Sequence, residues 1–243
     1  MKRLVQRALH GLGWHLAPYP FHSSHYLRHT ARRLEHLASL GLPLDGRSVL
    51  EVGAGVGDFS HFYLDRGCRV TITDARASNV RYLCNRYPGE DVRRWDLEGP
   101  DAPEGGPWDV VHCYGVLYHT GRPDDVLDRL AAGCSGLLLL ETKVAPGRET
   151  GFSLTSESRR PLSMAVHGTG CRPTRSWVFA ALGDRFEHVY VPLTQPRHEE
   201  FPTDWTTDSD PALPLRAVFI ASRRPLENPL LVPELVDVQR AGA

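Results

Sequence analysis

The sequence predicts an α/β fold in which a doubly wound sheet of seven strands is preceded by an N-terminal helical lid. From Gly46 onward, short apolar or β-branched runs alternate with segments that carry apolar residues at helical spacing. A glycine-rich turn follows the first run, and Asp74 lies just after the second. Because alternation at this rhythm builds βαβ units, we expect a parallel sheet with right-handed crossovers.

The elements can be assigned in order along the chain. The predicted strands span residues 48–52, 69–73, 92–95, 110–114, 136–141, 187–191 and 217–222. The predicted helices span residues 59–66, 78–87, 124–132 and 175–182. Residues 1–44 then form a helical cap, 45–222 the main domain and 223–243 a tail. Two long polar connections, 143–172 and 193–214, are predicted to be insertions that face the substrate, since loops of this length are usually functional or disordered.

Composition excludes several classes of protein. The chain has 243 residues, of which 41% are hydrophobic and 23% charged, so it is neither disordered nor collagen-like. With a formal net charge of -1, the chain has no overall positive electrostatic field that would attract nucleic acid or an acidic membrane. The five cysteines contain no CxxC pair, and no signal-peptide-like apolar stretch follows the basic N-terminus. The sequence therefore predicts free thiols in a cytoplasmic protein that does not associate with membranes.

The first 44 residues have a helical pattern of their own. Apolar side chains at 4, 5, 8, 9 and 12 predict a short helix, and a stripe at 27, 30, 31, 34, 37 and 38 predicts an amphipathic helix that packs on the main domain. Residues 1–40 contain six basic residues and one acidic residue, which keeps RNA binding open. We favour a solvent-facing role for Arg28, Arg32 and Arg33, because no RNA-binding fold signature accompanies them.

Histidines are concentrated in the same segment. His22, His25, His29 and His36 would share a stripe if residues 22–36 formed one helix, but Pro20 and the Ser23-Ser24 pair place the helix start at Ser24. Imidazoles three or four residues apart can bind zinc. No carboxylate or thiolate is interleaved with them, so a solvated or substrate-lid face is the preferred interpretation and no metal site is predicted.

The strongest motif is the turn Glu51-Val-Gly53-Ala-Gly55-Val-Gly57-Asp58 between a strand and a helix. This arrangement brings backbone close to a ligand at a helix start, although an ordinary tight βα turn has the same pattern. Asp74, 21 residues after Gly53, is placed to accept ribose hydroxyls. A dinucleotide fingerprint requires glycine where Asp58 stands, and an acid there would repel pyrophosphate. A nucleoside that carries an amino acid has no phosphate and brings an ammonium group.

These residues, with the Trp95-Asp96-Leu97 strand end and Trp108-Asp109-Val110-Val111, resemble a class I S-adenosylmethionine-dependent methyltransferase over residues 47–142. The resemblance implies a Rossmann-like fold and S-adenosyl-L-methionine as cofactor. It places Glu51, Gly53 and Gly55 at the methionine portion, Asp74 at the ribose, and Asp96 and Leu97 at the adenine. The complete set of expected cofactor-binding residues is Glu51, Gly53, Gly55, Gly57, Asp74, Ala75, Asp96, Leu97 and Tyr114.

The segment Gly115-Val-Leu-Tyr118-His119 is similar to that of tRNA wobble-uridine modifying methyltransferases, and less closely to that of small-molecule O-methyltransferases with a histidine there. Methyl transfer requires a positioned nucleophile and the removal of its proton. A histidine can accept that proton at neutral pH. His119 is therefore the candidate base, with His198 as the second candidate and Tyr118 shaping the pocket. The alternative is that His119 only packs or caps the turn.

The long connections supply the remaining candidates. Arg172, Gln195, Glu199 and Trp205 would suit a polyhydroxylated or glycosylated small-molecule acceptor. The expected reaction is O-methylation of a sugar or secondary-metabolite hydroxyl, with nucleic acid not expected as a partner. Two alternatives stay open: a tRNA-modifying enzyme, and a non-catalytic nucleoside-binding subunit of a partner enzyme. The oligomeric state is open as well, with a homodimer as one option.

Overall fold

The computed structural model describes residues 19–207 and 213–242. The short helix predicted over residues 4–12 lies outside them. The α-helices of the described chain are α1 (Ser24–Ser39), α2 (Ser60–Leu64), α3 (Ala77–Arg86), α4 (Pro123–Ala132) and α5 (Arg175–Gly183). Short 3-10 segments span Tyr19–His22 and Leu117–His119. None of the helices in this part of the chain has the length and apolar character needed to cross a bilayer.

The strands form one large sheet and two small ones. The large sheet contains β1 (Ser48–Glu51), β2 (Arg69–Asp74), β3 (Asp91–Arg94), β4 (Trp108–Tyr114), β5 (Cys134–Val144), β8 (His188–Pro192), β10 (Leu215–Ser222) and β11 (Leu231–Val232). The small sheets pair β6 (Phe152–Ser156) with β7 (Thr169–Pro173), and β9 (Thr194–Gln195) with β12 (Arg240–Ala241). The large sheet has the order β11-β8-β10-β5-β4-β1-β2-β3.

The predicted α/β fold is confirmed, since all seven predicted strands lie in the large sheet. Strands β1 to β5 pair with one another in parallel, whereas β10 runs antiparallel to both β5 and β8. The eighth strand, β11, lies in residues 223–243, which the sequence analysis predicted to be a tail. Because β1 lies between β2 and β4, the carboxyl ends of these strands meet at one edge, where open α/β sheets bind ligands.

Alternating side chains of the sheet build a core on each face. On β1, Leu50 packs on the face covered by α4 and α5, whereas Val49 packs on the face covered by α1, α2 and α3. Leu138 and Leu139 of β5 divide in the same way. Helices therefore cover both sides of a buried sheet, as expected for a doubly wound fold.

Helix α1 begins at the predicted residue but buries a different face. Ser23 is the N-cap, and its side chain accepts a hydrogen bond from the Tyr26 amide. The predicted apolar stripe is wrong in part, because Leu27 is 49% exposed while Leu37 is buried. The solvent-facing role expected for Arg33 is also wrong. Polar residues complete the buried face, and they are His29, Thr30, Arg33 and His36. Strands distant in sequence supply partners for two of them, because Arg33 donates to Glu141 and His36 bonds Thr194.

The two leucines of α1 provide a direct test of this orientation. We expect Leu37→Ala to lower the free energy of unfolding by about 2–5 kcal/mol, because it removes buried methyl groups and leaves a cavity. Leu27→Ala is the matched control on the same helix, and we expect a change within about 0.5 kcal/mol. Urea unfolding of both variants measures the difference. Equal losses at the two positions would contradict the observed helix orientation.

The two long connections are more ordered than the sequence suggests. Strands β6 and β7 form an antiparallel hairpin inside the 143–172 connection. In the 193–214 connection, β9 pairs with β12 from the tail, and Asp204 bridges to Val238. These strands were missed because residues 143–172 are mostly polar and because each residue of β9 pairs with a residue 46 positions further along the chain.

Candidate active site

A cavity of about 300 Å³ opens where β1, β2 and β4 end. The expected site residues in its wall are Glu51, Gly53, Gly55, Asp74, Ala75, Asp96, Leu97, Tyr114, Tyr118 and His119. Helix α1 and the segment of residues 157–168, here called the lid segment, cover the opening. The structure thus brings together all but one of the expected cofactor residues and the first candidate base.

The glycine turn has the backbone that its sequence demands. Gly53 and Gly55 have φ angles of 65° and 61°, in the left-handed region that glycine adopts without strain. A Cβ atom at Gly55 would lie 2.9 Å from Phe21 Cε1, and one at Gly53 would lie 2.5 Å from Val116 Cγ2. Phe21 and Val116 both line the cavity. Side chains at these glycines would therefore displace the cavity wall.

Asp74 fixes this turn to the end of β2. Its Oδ2 accepts a hydrogen bond from the Gly55 amide at 3.0 Å, and its Oδ1 accepts from the Arg76 amide at 2.8 Å. Asn79 Nδ2 also donates to Oδ1, at 3.2 Å. Burial raises the pKa of the Asp74 carboxyl, and these three donors oppose that effect. Each carboxylate oxygen has more than one lone pair, so the carboxylate can still accept ribose hydroxyls.

Glu51 ends β1 in a fully buried position. Ser60 Oγ donates to its Oε2 at 2.5 Å. Burial raises the pKa of the Glu51 carboxyl to about 7, and the Ser60 hydrogen bond opposes the shift. An ammonium group beside Glu51 would favour the ionised carboxylate. The side chain is therefore a pH-sensitive contact for a ligand that carries an amino acid.

This pKa predicts the pH dependence of cofactor binding. Below about pH 7 the free protein holds a proton on Glu51 that ammonium binding must expel, so affinity for S-adenosylhomocysteine should fall as pH falls, by up to about tenfold per pH unit. Calorimetry from about pH 6 to about pH 8 measures the slope. In Glu51→Gln the affinity should be lower and this slope absent. A wild-type slope in the variant would remove Glu51 from the ligand contact.

The far end of the cavity is closed by the lid segment. Asp96 Oδ2 lies 2.8 Å from His167 Nε2, and Leu97 is buried beside it. Arg76 donates to the carbonyls of Met164 and Ala165, which holds the lid segment over Asp74 and the glycine turn. The lid segment therefore encloses the region where the resemblance places adenine.

His119 lines the cavity from the 3-10 turn after β4. Its Nδ1 is 2.5 Å from Oε2 of Glu157, which also accepts a hydrogen bond from the Ala165 amide at 3.1 Å. Burial lowers the pKa of His119, and Glu157 offsets part of that effect. Within residues 19–207 and 213–242, His119 Nε2 has no protein hydrogen-bond partner, so this neutral nitrogen can accept a proton.

Charged side chains surround Tyr118 in the same region. Arg216 NH2 donates to the Tyr118 hydroxyl at 3.1 Å, and Lys143 Nζ lies 4.8 Å from the ring centroid. Glu141 is completely buried and binds Arg33 at 3.1 Å and Arg216 at 2.9 Å. Burial alone would raise the pKa of Glu141, but the two guanidinium groups hold it below the usual value. No carboxylate of the described chain pairs with Lys143.

Six expected site residues do not line the cavity. Gly57 packs against Tyr87 and Leu83 instead. Gln195 and Trp205 both donate to Gln239 Oε1, at 3.0 and 2.7 Å, and Arg175 covers the indole. The structure therefore does not form the aromatic platform that was expected for a sugar.

The other three lie just behind the wall. Arg172 donates to the Tyr118 carbonyl at 3.3 Å and to Glu157 Oε1 at 3.4 Å, so it supports the partner of His119. His198 is buried behind α1, about 5 Å from the His29 ring. Glu199 is paired with Arg28 on the surface.

Several cavity residues could not be identified from the sequence. They lie outside the segments with a recognisable motif, and they are Phe21, Arg33, Lys143, His167 and Arg216. The one available signal was position, because Lys143 and His167 lie in the 143–172 connection that was expected to face the substrate. The same connection supplies Glu157, the partner of His119.

The cavity fits the proposed cofactor chemically. Three carboxylates, Glu51, Asp74 and Asp96, are spaced along the wall, with apolar Leu97 at one end. The Tyr114 hydroxyl is buried and has no hydrogen-bond partner in the described chain, so a polar ligand group would satisfy it. These donors and acceptors suit an ammonium, a ribose and an adenine, and the volume is in the range of small-molecule sites.

Comparisons with known proteins agree with the fold and the enzyme class. A methyltransferase domain family matches residues 50–135. A tRNA U34 carboxymethyltransferase of Methylococcus capsulatus is 31% identical over 251 residues, covering 90% of this chain and 76% of the relative. That of Vibrio atlanticus is 27% identical, covering 86% and 72%.

Solved methyltransferase structures share the fold. The N-terminal domain of EvdMO1 with bound S-adenosylhomocysteine (SAH) has a TM-score of 0.62 at 20% identity, covering 92% of this chain and 98% of the domain. Magnesium protoporphyrin IX methyltransferase from Synechocystis PCC 6803, with bound S-adenosylmethionine, has a TM-score of 0.51 at 18% identity, covering 82% and 81%.

The fold and the site define a class I S-adenosylmethionine-dependent methyltransferase, and the chain belongs to this family. Within the family it is related to the tRNA U34 carboxymethyltransferases. The predicted enzyme class and cofactor are confirmed, and the non-catalytic alternative is set aside.

Proposed function

We propose that this methyltransferase transfers a methyl group to a hydroxyl of a small polyhydroxylated molecule, with His119 as the general base. The observation that carries this proposal is the pairing of His119, which lines the cavity, with the buried Glu157. The buried carboxylate of Glu157 bonds Nδ1 of His119, and the other imidazole nitrogen, Nε2, has no protein partner in the described residues. This is the arrangement that a general base needs before an acceptor binds.

The chain's own residues supply orientation and proton removal. When bound, S-adenosylmethionine supplies a methyl group on a sulfonium, and the sulfur leaves as a neutral thioether. His119 accepts the hydroxyl proton as the acceptor oxygen forms its bond to carbon, and Glu157 stabilises the resulting imidazolium. Its lowered pKa keeps His119 neutral, and therefore able to accept a proton, at neutral pH.

The acceptor end of the cavity supports a polar, oxygen-rich substrate. It presents His25, Tyr118, Lys143 and Arg216, which offer donors and acceptors rather than a flat apolar slot. The related EvdMO1 domain has been crystallised in the presence of SAH and D-fucose. A sugar or a glycosylated metabolite is the acceptor class that we propose.

A screen for conversion of S-adenosylmethionine to S-adenosylhomocysteine tests the proposal. The acceptors are free and glycosylated polyols, phenols, and bulk tRNA in a parallel reaction. We expect turnover with a polyhydroxylated small molecule and none with tRNA. Turnover confined to tRNA would reject the proposal.

A second candidate function is carboxymethyl transfer to tRNA, which the names of the relatives describe for those proteins. One observation favours it: Lys143 and Arg216 flank Tyr118 in the cavity, and a transferred group that carries a carboxylate would need a cation there. Binding of bulk tRNA that weakens steeply as salt rises would support this candidate. A small-molecule methyltransferase should show no such binding.

A further inference from the structure

We propose that His112 and Tyr114 bind the carboxylate of the cofactor's amino-acid portion, so that the site distinguishes the complete cofactor from nucleosides that lack this group. The sequence motifs predicted a cofactor contact for Tyr114 but assigned no role to His112, which lies two residues earlier on β4. Because the inference concerns recognition of the cofactor, it holds whichever acceptor is methylated.

Several buried polar atoms of the described chain lack a partner at this place. Both ring nitrogens of His112 and the hydroxyl of Tyr114 form no hydrogen bond with any described residue, although the two residues are only 2% and 6% exposed. The Nε of the buried Arg33 is also unpaired within this part of the chain. Buried polar groups are almost always paired in folded proteins, so a ligand group that satisfies these atoms is expected here.

The three side chains converge from β4 and α1 around one aromatic ring. The ring centroids of His112 and Tyr114 are 4.3 Å apart, and they lie 4.7 and 5.5 Å from the centroid of Phe59. The guanidinium carbon of Arg33 lies 5.0 Å from the same centroid. All four residues line the cavity, so the group belongs to the wall that a bound cofactor would contact.

The unpaired atoms favour an anionic ligand group. Arg33 uses NH1 for Glu141 and NH2 for Thr30, which leaves the Nε hydrogen for a ligand. Burial, with a smaller contribution from the Arg33 charge, lowers the pKa of His112 to about 3, so the neutral ring carries one N–H donor. The Tyr114 hydroxyl supplies a third donor. Three donors, one of them on a cation, suit a carboxylate, because an ionised carboxylate only accepts hydrogen bonds.

The strand register places this group beside the expected ammonium contact. Glu51 at the end of β1 is the register partner of His112, and the Val52 amide donates to the His112 carbonyl at 2.9 Å. The Glu51 and His112 side chains lie on the same face of the sheet, since they contact Ser60 and Tyr63 of α2. The ammonium and the carboxylate of an amino acid share one carbon atom. An ammonium at Glu51 therefore leaves the carboxylate close by, where the unpaired donors can bind it.

The test compares two ligands of the full-length protein in the absence of an acceptor. One ligand is S-adenosylhomocysteine, and the other is its decarboxylated form, which keeps the ammonium and lacks the carboxylate. Calorimetry measures the affinity of each ligand, and circular dichroism checks the fold of each variant.

The variants each remove one polar group. Tyr114→Phe removes a hydroxyl that has no partner in the described chain, so the fold loses no hydrogen bond. His112→Phe keeps an aromatic ring next to Phe59 and Tyr63. Tyr63→Phe is the matched control, because it removes a buried hydroxyl that is likewise unpaired among the described residues, from a side chain outside the cavity wall.

We expect Tyr114→Phe and His112→Phe each to bind S-adenosylhomocysteine about tenfold or more weakly than the wild type, since each loses a hydrogen bond to a charged group. Both should bind the decarboxylated ligand like the wild type, and Tyr63→Phe should leave both affinities unchanged. If His112→Phe does not fold, Tyr114→Phe decides the question. In a folded variant, unchanged affinity for S-adenosylhomocysteine, or the same loss with both ligands, would overturn the proposal. Because no acceptor is present, this result is independent of whether a hydroxyl is methylated.

Discussion

Replacing His119 by alanine is expected to lower the rate of methyl transfer by about 10²–10⁴-fold while cofactor affinity stays near that of the wild type. The physical reason is that His119 Nε2 is the proposed proton acceptor, whereas the expected cofactor contacts lie at the ends of β1, β2, β3 and β4 or just after them. Single-turnover rates with S-adenosylmethionine, together with calorimetric affinity for S-adenosylhomocysteine, separate the two effects.

The pH profile gives the same prediction an independent check. Only the neutral imidazole accepts a proton, so the wild-type rate should rise with pH through the His119 ionisation. Because burial lowers the pKa of His119, this rise should lie below the ordinary histidine value of about 6.5 and be complete at neutral pH. A modest rate loss in His119→Ala with the profile retained would mean that the side chain only packs.

Two further variants define the role of the pair. Glu157→Gln keeps a hydrogen-bonding group beside Nδ1 but removes the charge, so we expect a smaller rate loss than in His119→Ala. Full activity in His119→Ala with loss of activity in His198→Ala would instead assign the base to His198. That outcome would require residues 195–205 to move, since His198 lies behind the cavity wall.

Asp74→Ala is expected to weaken cofactor binding by about 2 kcal/mol, which is about thirtyfold, because two ribose hydroxyls would face an apolar side chain. The same substitution removes the acceptor for the Gly55 amide, so the glycine turn also loses a tether. Calorimetry with S-adenosylhomocysteine measures the affinity.

The matched control is Asp65→Ala, which removes an exposed aspartate at the end of α2, away from the cavity. It should bind S-adenosylhomocysteine like the wild type. Circular dichroism checks that both variants fold. Wild-type affinity in a folded Asp74→Ala protein would exclude Asp74 from the cofactor site.

The cofactor half of the site was accessible to sequence reasoning because its signals are local. The turn from Glu51 to Gly57 joins a strand directly to a helix, and Asp74 and Asp96 each end or follow a strand. In a parallel sheet, the position of a residue at a strand end already fixes the edge on which it lies. The order of the strands in the sheet then places Gly53, Asp74 and Asp96 at the same edge, so no long-range contact had to be predicted.

Apart from Tyr118 and His119, the acceptor half could not be predicted, because its contacts join distant segments. His119 meets Glu157 only after the β6–β7 hairpin folds back over the cavity, and Glu141 meets Arg33 and Arg216 across the sheet. The buried face of α1 was misjudged for the same reason. A periodicity argument treats Arg33 as a surface residue, and only the buried Glu141 carboxylate makes its position favourable.

The central claim is that the transferred group is a methyl and that the acceptor atom is a hydroxyl oxygen of a small molecule. The most direct measurement uses S-adenosylmethionine labelled with ¹³C in its methyl group, a panel of polyhydroxylated acceptors and tRNA, with products identified by mass spectrometry and NMR. We predict that the label appears in an O-methyl ether of a small-molecule acceptor and is nearly absent with His119→Ala. Unlabelled small molecules alongside labelled or carboxymethylated tRNA would contradict the account.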